Sequence, residues 1–373
     1  MNNVVITSTG SYLPGAPISN EQIESHLGLV HNRPSRLKNK ILKSNGIRSR
    51  HYAMDASGRT TISNSAMAAA AGNACLQKAA VTARQVSLLS CATSQGDLVL
   101  PGFASMVQAD MAMPDVEIHS CHGICSSGMM ALKAAYTSLK CGEHPMALVV
   151  ASELASRLFK ASRYEAVTAA KAVDFNAEFL RWMLSDGAGA LLLQGQEDAA
   201  RLPGIKLRIE WLRGYSHADA YPVCMSVGMS PDGDNSWQDF PTYAEAEAAG
   251  ALLLRQDVRL LEDVVKNGVD GFLRLIAEKR VHPEEVDHVL CHYSSHYFRS
   301  RIFEMLQKSG VMIPEEKWFT NLYERGNTGC ASIFIMLDEF LEKTALQPGE
   351  KVLCMVPESG RFNSVYMLLT VVS

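Results

Sequence analysis

Continuous apolar runs, rather than alternating ones, mark the strands of this chain. Val86-Ser-Leu-Leu-Ser-Cys91-Ala-Thr-Ser94 is apolar and ends in small polar residues, and Val286-Asp-His-Val-Leu-Cys291-His292-Tyr-Ser294 repeats that form about 200 residues later. Strands apolar at successive positions are buried on both faces, as in sheets covered by helices. Some 34 residues after Cys91 comes Cys125-Ser-Ser-Gly128 and a helix-like run from Met129 to Leu139. Some 36 residues after Cys291 comes Asn327-Thr-Gly329, then Ile333, Leu337, Phe340 and Leu341 at helical spacing. Each helix leads to another apolar strand, Pro145 to Glu153 and Lys351 to Ser359, through matching turns at Cys141-Gly142-Glu143 and Pro348-Gly349-Glu350. The repeat predicts an internal duplication into two similar β/α halves.

Two less regular stretches interrupt this pattern. The first, 156–183, holds a mixed run from Lys160 to Arg181. It is followed by Trp182-Met-Leu-Ser-Asp-Gly-Ala-Gly-Ala190, whose glycines suggest tight packing or a turn. The second, 212–250, contains Pro222, Pro231-Asp-Gly-Asp-Asn235, Trp237 and Pro241. Such a segment is either a lid or binding wall, or a solvated connector.

The junction at His119-Ser-Cys-His-Gly-Ile-Cys125-Ser-Ser-Gly128 carries the sharpest chemistry. Cys125 stands where a strand stops and a helix starts, so backbone N–H groups and the helix dipole favour its thiolate, the nucleophilic form. Ser126, Ser127 and Gly128 are small enough for a substrate carbonyl to approach the backbone. A free cysteine is also a common inert core filler. Metal binding by His119, Cys121, His122 and Cys125 is disfavoured, because no second Cys-x-x-Cys or His-x-x-x-His pair completes a tetrahedral site. A lone histidine at a strand end, such as His292, is by itself more often structural than catalytic, and Asn327 in its turn is by itself the expected helix cap. Their value lies in conjunction: a thiolate, an imidazole and an amide at corresponding ends of duplicated units suit acyl-thioester chemistry.

Composition narrows the setting. Hydrophobic content of 47% with 20% charged residues suits an α/β protein with a sizeable core, and a net charge of −4 offers no basic field for nucleic acid. The opening Met1-Asn-Asn-Val-Val-Ile6 lacks signal-peptide character, and no apolar run approaches the roughly 20 residues that cross a bilayer. Nine cysteines without disulfide-scaffold spacing point to a reducing cytoplasm.

In order, type and spacing these residues resemble the thiolase superfamily and, within it, the β-ketoacyl-ACP synthase III branch, along nearly the whole chain. Gly10-Ser-Tyr-Leu-Pro14, Ile18-Ser-Asn-Glu21 and Gly46-Ile-Arg48 are similar to that branch's N-terminal signatures. Ala92-Thr-Ser94 through Pro101 and Val107-Gln108 are similar to its strand and following helix. Cys125-Ser-Ser-Gly resembles the nucleophile motif, Ser185-Asp-Gly-Ala-Gly-Ala190 the mid-chain glycine signature, and Gly326-Asn-Thr328 the Gly-Asn-Thr motif. Three features depart from the branch. His292 sits in Cys-His-Tyr-Ser-Ser295 without the usual proline, glutamine and asparagine. A Gly-Gly-Gly-Phe-like loop has become Glu358-Ser-Gly-Arg-Phe362, and the chain is longer than a housekeeping synthase. With Phe179 to Ala190 and Lys317-Trp-Phe-Thr-Asn-Leu322, these departures resemble the ketosynthases that build dialkylresorcinols and cyclohexanediones.

The resemblance implies a duplicated thiolase-like α/β fold with a layered αβαβα core. Residues 1–205 would form the half with the nucleophile and part of a lid, and 206–373 the half with His292 and Asn327. Cys125 would hold an acyl group taken from an acyl carrier protein or CoA thioester. His292 and Asn327 would bind the thioester oxygen of the second substrate. Backbone N–H groups of Cys125 and of the Gly360–Arg361 turn would bind the oxyanion, with Glu153 a possible base. Glu153 is equally open to a surface or dimer-interface reading. The implied reaction condenses the acyl group with a β-ketoacyl thioester and closes a six-membered ring. The alternatives are decarboxylative chain initiation on malonyl-ACP and a non-catalytic partner subunit. No metal or cofactor is implied. A homodimer is, with the strand at Ala147–Val150 as the expected contact.

Overall fold

Among the described residues ten strands form one large sheet, and each half contributes five. In the computed structural model, which describes residues 3–167, 173–200 and 202–373, they are β1 (Val4–Tyr12), β2 (Leu88–Thr93), β3 (Glu117–His122), β4 (Met146–Glu153), β5 (Gly187–Gly195), β6 (Lys206–Ser216), β7 (His288–Cys291), β8 (Trp318–Phe319), β9 (Lys351–Glu358) and β10 (Asn363–Val372). They lie side by side in the order β8-β7-β9-β10-β6-β1-β5-β4-β2-β3. The first five run β1-β5-β4-β2-β3, and the second five run β6-β10-β9-β7-β8, the same order with each number raised by five. Parallel pairing of β4 with β2 and of β2 with β3 recurs as β9 with β7 and β7 with β8. Antiparallel β4–β5 recurs as β9–β10. The duplication expected from two apolar strands thus extends through both halves, which join where Val5 and Ile6 pair with Arg208 and Leu207.

Helices complete the layers. Between the half-sheets lie α3 (Ser127–Cys141) and α6 (Ser332–Lys343), whose Leu132, Ala135, Phe334 and Leu337 pack with residues of both halves in one central core. Outside the first half lie α1 (Asn64–Lys78) and α2 (Phe103–Asp110). Outside the second lie α4 (Leu261–Ala277) and α5 (His296–Lys308). The result is the layered αβαβα arrangement. Strands β2 and β4 are covered on both faces, which is why Leu88, Leu89, Leu148, Val149 and Val150 all have no exposed surface.

That burial overturns Ala147–Val150 as a contact between copies. Strand β4 lies between β5 and β2, so both its edges are already paired. Its apolar run reflects two covered faces, and the outer edge on this side belongs to β3.

The irregular stretches are short elements packed beside this core. In 156–183 these include Ala161–Glu165, Phe175–Glu178 and Leu180–Trp182; positions 168–172 of the expected mixed run lie outside the described residues. The glycines after it answer to tight packing, because Gly189 of β5 lies directly against Phe334 and Ile335 of α6. Asp186 ties the region together by accepting Ala53 N–H, Ser156 N–H and the Ser156 hydroxyl at 2.5–2.9 Å. Within 212–250, a two-residue strand at Met225–Ser226 pairs with Arg255–Gln256.

Candidate active site

The nucleophile turn spans the four residues between β3 and α3. Ser126, the residue before α3, makes no cap bond to its own helix. Its N–H and hydroxyl donate instead to Glu358 Oε2 at 2.9 and 2.5 Å, and Asn363 Nδ2 donates to its hydroxyl at 2.7 Å. Ser127 closes the turn from its own side, its hydroxyl donating to the Ile124 carbonyl at 2.8 Å. Gly128 serves packing rather than substrate approach: a Cβ there would stand 2.5 Å from the Cys330 carbonyl oxygen.

Cys125 is 7% exposed. Burial first, then the charges of Glu358 and Glu153, push its thiol well above the usual thiol range. The resting thiolate expected from the helix N-terminus is therefore corrected. The Ser126 N–H that would favour an anion already serves Glu358, and burial together with the two carboxylates disfavours the thiolate.

Cys125 opens onto a cavity of about 320 Å³ shared with Ser94, Glu153, Ser294, Asn327 and Ser359. Leu154, Leu158, Phe179, Leu180, Leu254 and Phe298 give the cavity an apolar wall. Met225, Ser226 and Val227 of the 212–250 stretch line it too, so that segment supplies binding wall and is more than a connector. A second, 30 Å³ cavity shares Cys125, Ser294 and Ser359 and is closed by Val265, Tyr293 and Ile302. An apolar space meeting a thiol and a few polar groups fits an acyl chain with its thioester head at Cys125.

Asn327 is fixed by its backbone. Its N–H donates to the Met183 carbonyl at 3.2 Å, its carbonyl accepts Ser185 N–H at 2.8 Å, and its Oδ1 accepts Gly329 N–H at 3.0 Å. Its Nδ2 has no protein partner among the described residues. Glu153, 4% exposed at the end of β4, is a cavity group rather than a surface one. Burial raises its carboxyl to about 7, while hydrogen bonds from Ser94 and Cys330 pull the other way.

His292 follows β7, its N–H donating to the Met355 carbonyl at 2.9 Å. Burial lowers its imidazole to about 4, so the ring is neutral at neutral pH, and its buried Nε2 has no partner. It lines a small cavity of about 10 Å³ with Ser294, Asn321 and Ser332; Ser294 also lines the main one. The structure therefore gathers Cys125, Asn327 and Glu153 on one cavity and sets His292 on its neighbour.

Residues 39–199 match the family model of the β-ketoacyl synthase N-terminal domain, and 276–360 match that of the 3-oxoacyl-[acyl-carrier-protein] synthase III C terminus. A β-ketoacyl-[acyl-carrier-protein] synthase III of Bordetella petrii is 27% identical over 355 residues, 95% of this chain and 94% of that one. The chain is a ketosynthase III-like condensing enzyme. Its fold is shared with a tetronic acid condensing enzyme (TM-score 0.77, 22% identity, 98% of this chain and 99% of that one). It is also shared with OleA of Xanthomonas campestris (TM-score 0.79, 20% identity, 99% and 98%).

In this ketosynthase the C-terminal loop departs most from the expected arrangement. Ser359 lines the main cavity, whereas Gly360 and Arg361 are not among its lining residues. The Gly360 carbonyl accepts Cys224 and Met225 N–H, and the exposed Arg361 donates from Nε to the Tyr221 carbonyl at 3.4 Å. The group missed was Glu358. The signal was present in a carboxylate within the altered Glu358-Ser-Gly-Arg-Phe362 loop, but its contact lies 232 residues away in the chain.

Proposed function

We propose that this ketosynthase joins an acyl group held on Cys125 to a β-ketoacyl thioester and then closes a six-membered ring, giving a cyclohexanedione or dialkylresorcinol precursor. The observation that carries the reading is the shared cavity, in which a thiol, the Asn327 amide and a carboxylate raised to about 7 meet one apolar wall. The two halves, 1–205 with Cys125 and Glu153 and 206–373 with His292 and Asn327, would meet at this cavity.

In the first half-reaction, Cys125 Sγ attacks the thioester carbonyl of an acyl carrier protein or CoA substrate. The carrier thiol leaves with the proton, and the acyl group remains on sulfur. The backbone N–H of Cys125 serves the oxyanion. In the second, Glu153 takes a proton from the carbon between the two carbonyls of the β-ketoacyl thioester. The Asn327 Nδ2 and the neutral His292 hydrogen-bond the enolate oxygen. That carbon attacks the acyl-enzyme carbonyl, the C–C bond forms, and Cys125 is released as the thiol. Ring closure is a Claisen step in which a further α-carbon attacks the remaining thioester and expels the carrier thiol.

The reading needs no metal or cofactor. Nine free cysteines suit a cytoplasmic setting, and no helix among the described residues is long and apolar enough to cross a membrane. Decarboxylative condensation on malonyl-ACP is the second reading, favoured by the named activity of the Bordetella petrii relative. Mass spectrometry of Cys125 after exposure to acyl thioesters tests the first half-reaction. Offering β-ketoacyl or malonyl co-substrates then separates the two readings, and efficient use of malonyl-ACP alone would reject ring formation.

A further inference from the structure

The carboxylate at the start of the altered C-terminal loop has no role in the steps above, yet it makes the tightest contact to the nucleophile turn. Glu358 ends β9 and is paired across the hairpin with Asn363, the first residue of β10. Both reach Ser126: Glu358 Oε2 accepts its N–H and hydroxyl at 2.9 and 2.5 Å, and Asn363 Nδ2 donates to the same hydroxyl at 2.7 Å. Ser126 is 2% exposed and Glu358 9%, so these bonds are shielded from competing water. The loop is shaped around the carboxylate. A Cβ on Gly360 would stand 2.6 Å from Ile124 Cδ1 and 3.1 Å from Glu358 Oε1, so glycine leaves that oxygen its space. Oε1 itself has no hydrogen-bond partner among the described residues.

We propose that Glu358 is a positioning residue for the nucleophile: its carboxylate grips Ser126 to fix the turn that carries Cys125, and places its charge at the helix N-terminus beside the thiol. The proposal rests on Cys125 being the nucleophile and adds how its reactivity is set. A charge-assisted pair of bonds to one residue restrains the turn firmly. The same charge, with burial, opposes ionisation of the neighbouring sulfur, so the resting enzyme holds Cys125 as the thiol. The other ionisable groups facing Cys125 are Glu153 at the end of β4, His122 at the end of β3 and the Cys330 thiol before α6. Glu153 adds to the opposition of Glu358.

Two substitutions separate charge from grip. Glu358→Gln keeps acceptors for Ser126 but removes the charge, whereas Glu358→Asp keeps the charge and shortens the reach. Alkylation of Cys125 by iodoacetamide, followed across pH by mass spectrometry of the Cys125 peptide, reads the acidity of that thiol. Glu358→Gln should move the midpoint to lower pH and speed alkylation near neutrality about tenfold. Glu358→Asp should keep the wild-type midpoint but slow acyl-enzyme formation about tenfold, because the turn is no longer held. An unmoved midpoint in Glu358→Gln, or a wild-type acylation rate in Glu358→Asp, overturns the proposal. If Glu358→Gln does not fold, Glu358→Asp decides alone. Acylation of a different cysteine in the wild type would instead overturn the assignment of the nucleophile, a separate failure.

Discussion

The hydroxyl of Ser94 donates to Glu153 Oε2 at 2.5 Å, joining the end of β4 to the residue that follows β2. Cys330 N–H donates to the other carboxylate oxygen at 3.3 Å, so Glu153 is held from both halves of the molecule. Burial nevertheless dominates and raises the group from the ordinary 4.5 to about 7.

If Glu153 is the base of the second half-reaction, condensation should rise with pH through about 7, as the carboxyl gives up its proton. Acylation of Cys125 should lack this limb. Stability has the opposite sign. A carboxyl whose folded value exceeds its unfolded one binds its proton more tightly when folded. Its contribution is fully present below pH 4.5 and is lost as pH rises through about 7. The shift corresponds to about 3 kcal/mol, which Glu153→Gln should make independent of pH. Denaturant unfolding of wild type and variant from mildly acidic to neutral pH checks this, and identical pH profiles would exclude a raised Glu153.

Cys125→Ala should abolish acyl-enzyme formation and product while leaving the fold intact, since only a small buried sulfur is removed. Intact-protein mass spectrometry with an acyl thioester is the measurement. Acylation that persists on Cys121 or Cys330 would move the nucleophile elsewhere.

Much of the frame was legible because burial on both faces leaves a direct trace. Leu148, Val149 and Val150 form an unbroken apolar run, and the matching run at Val352, Leu353 and Cys354 revealed the second copy of the fold. Edge strand β3 left no comparable trace. Its Glu-Ile-His-Ser-Cys-His pattern has neither a continuous nor an alternating apolar face, because the strand is largely exposed. Cys125, Asn327 and Glu153 could be placed from their strand and helix ends, which local sequence defines. The state of the thiol could not. It depends on Glu358, whose approach to Ser126 is created only when the β9–β10 hairpin folds against α3, and a carboxylate two residues before a glycine otherwise reads as surface.

A homodimer is expected, now through β3 rather than β4. Among the described residues strand β3 pairs only with β2, leaving its other edge open, and the nearby loop leaves Leu98, Val99 and Leu100 at 53%, 81% and 82% exposure. An open edge beside apolar residues favours pairing with another strand. Sedimentation at micromolar concentration should show two copies, and Ile118→Lys combined with Leu100→Lys should yield monomers by placing lysines on that edge. A wild-type monomer would reject the interface.

The choice of second substrate should follow from what His292 can offer. Burial lowers its ring to about 4, so at neutral pH it can donate one hydrogen bond but no positive charge. Ser295, standing where the family motif has asparagine, is 2% exposed and makes no side-chain cap bond to α5. A decarboxylative synthase must stabilise the enolate left by departing carbon dioxide, and strong donors to the thioester oxygen serve that end. A β-ketoacyl thioester has a much more acidic α-carbon, which needs less from such donors and more from a base. The wild-type enzyme should therefore consume β-ketoacyl thioesters and release little carbon dioxide from malonyl-ACP. Glu153→Gln should slow condensation by about 10²–10⁴-fold, the usual contribution of a positioned base, with Cys125 acylation unchanged. Single-turnover assays on pre-acylated enzyme isolate that step. Rapid condensation with malonyl-ACP that is indifferent to Glu153→Gln would assign the enzyme to chain initiation, because the carbanion would then come from decarboxylation and not from proton removal.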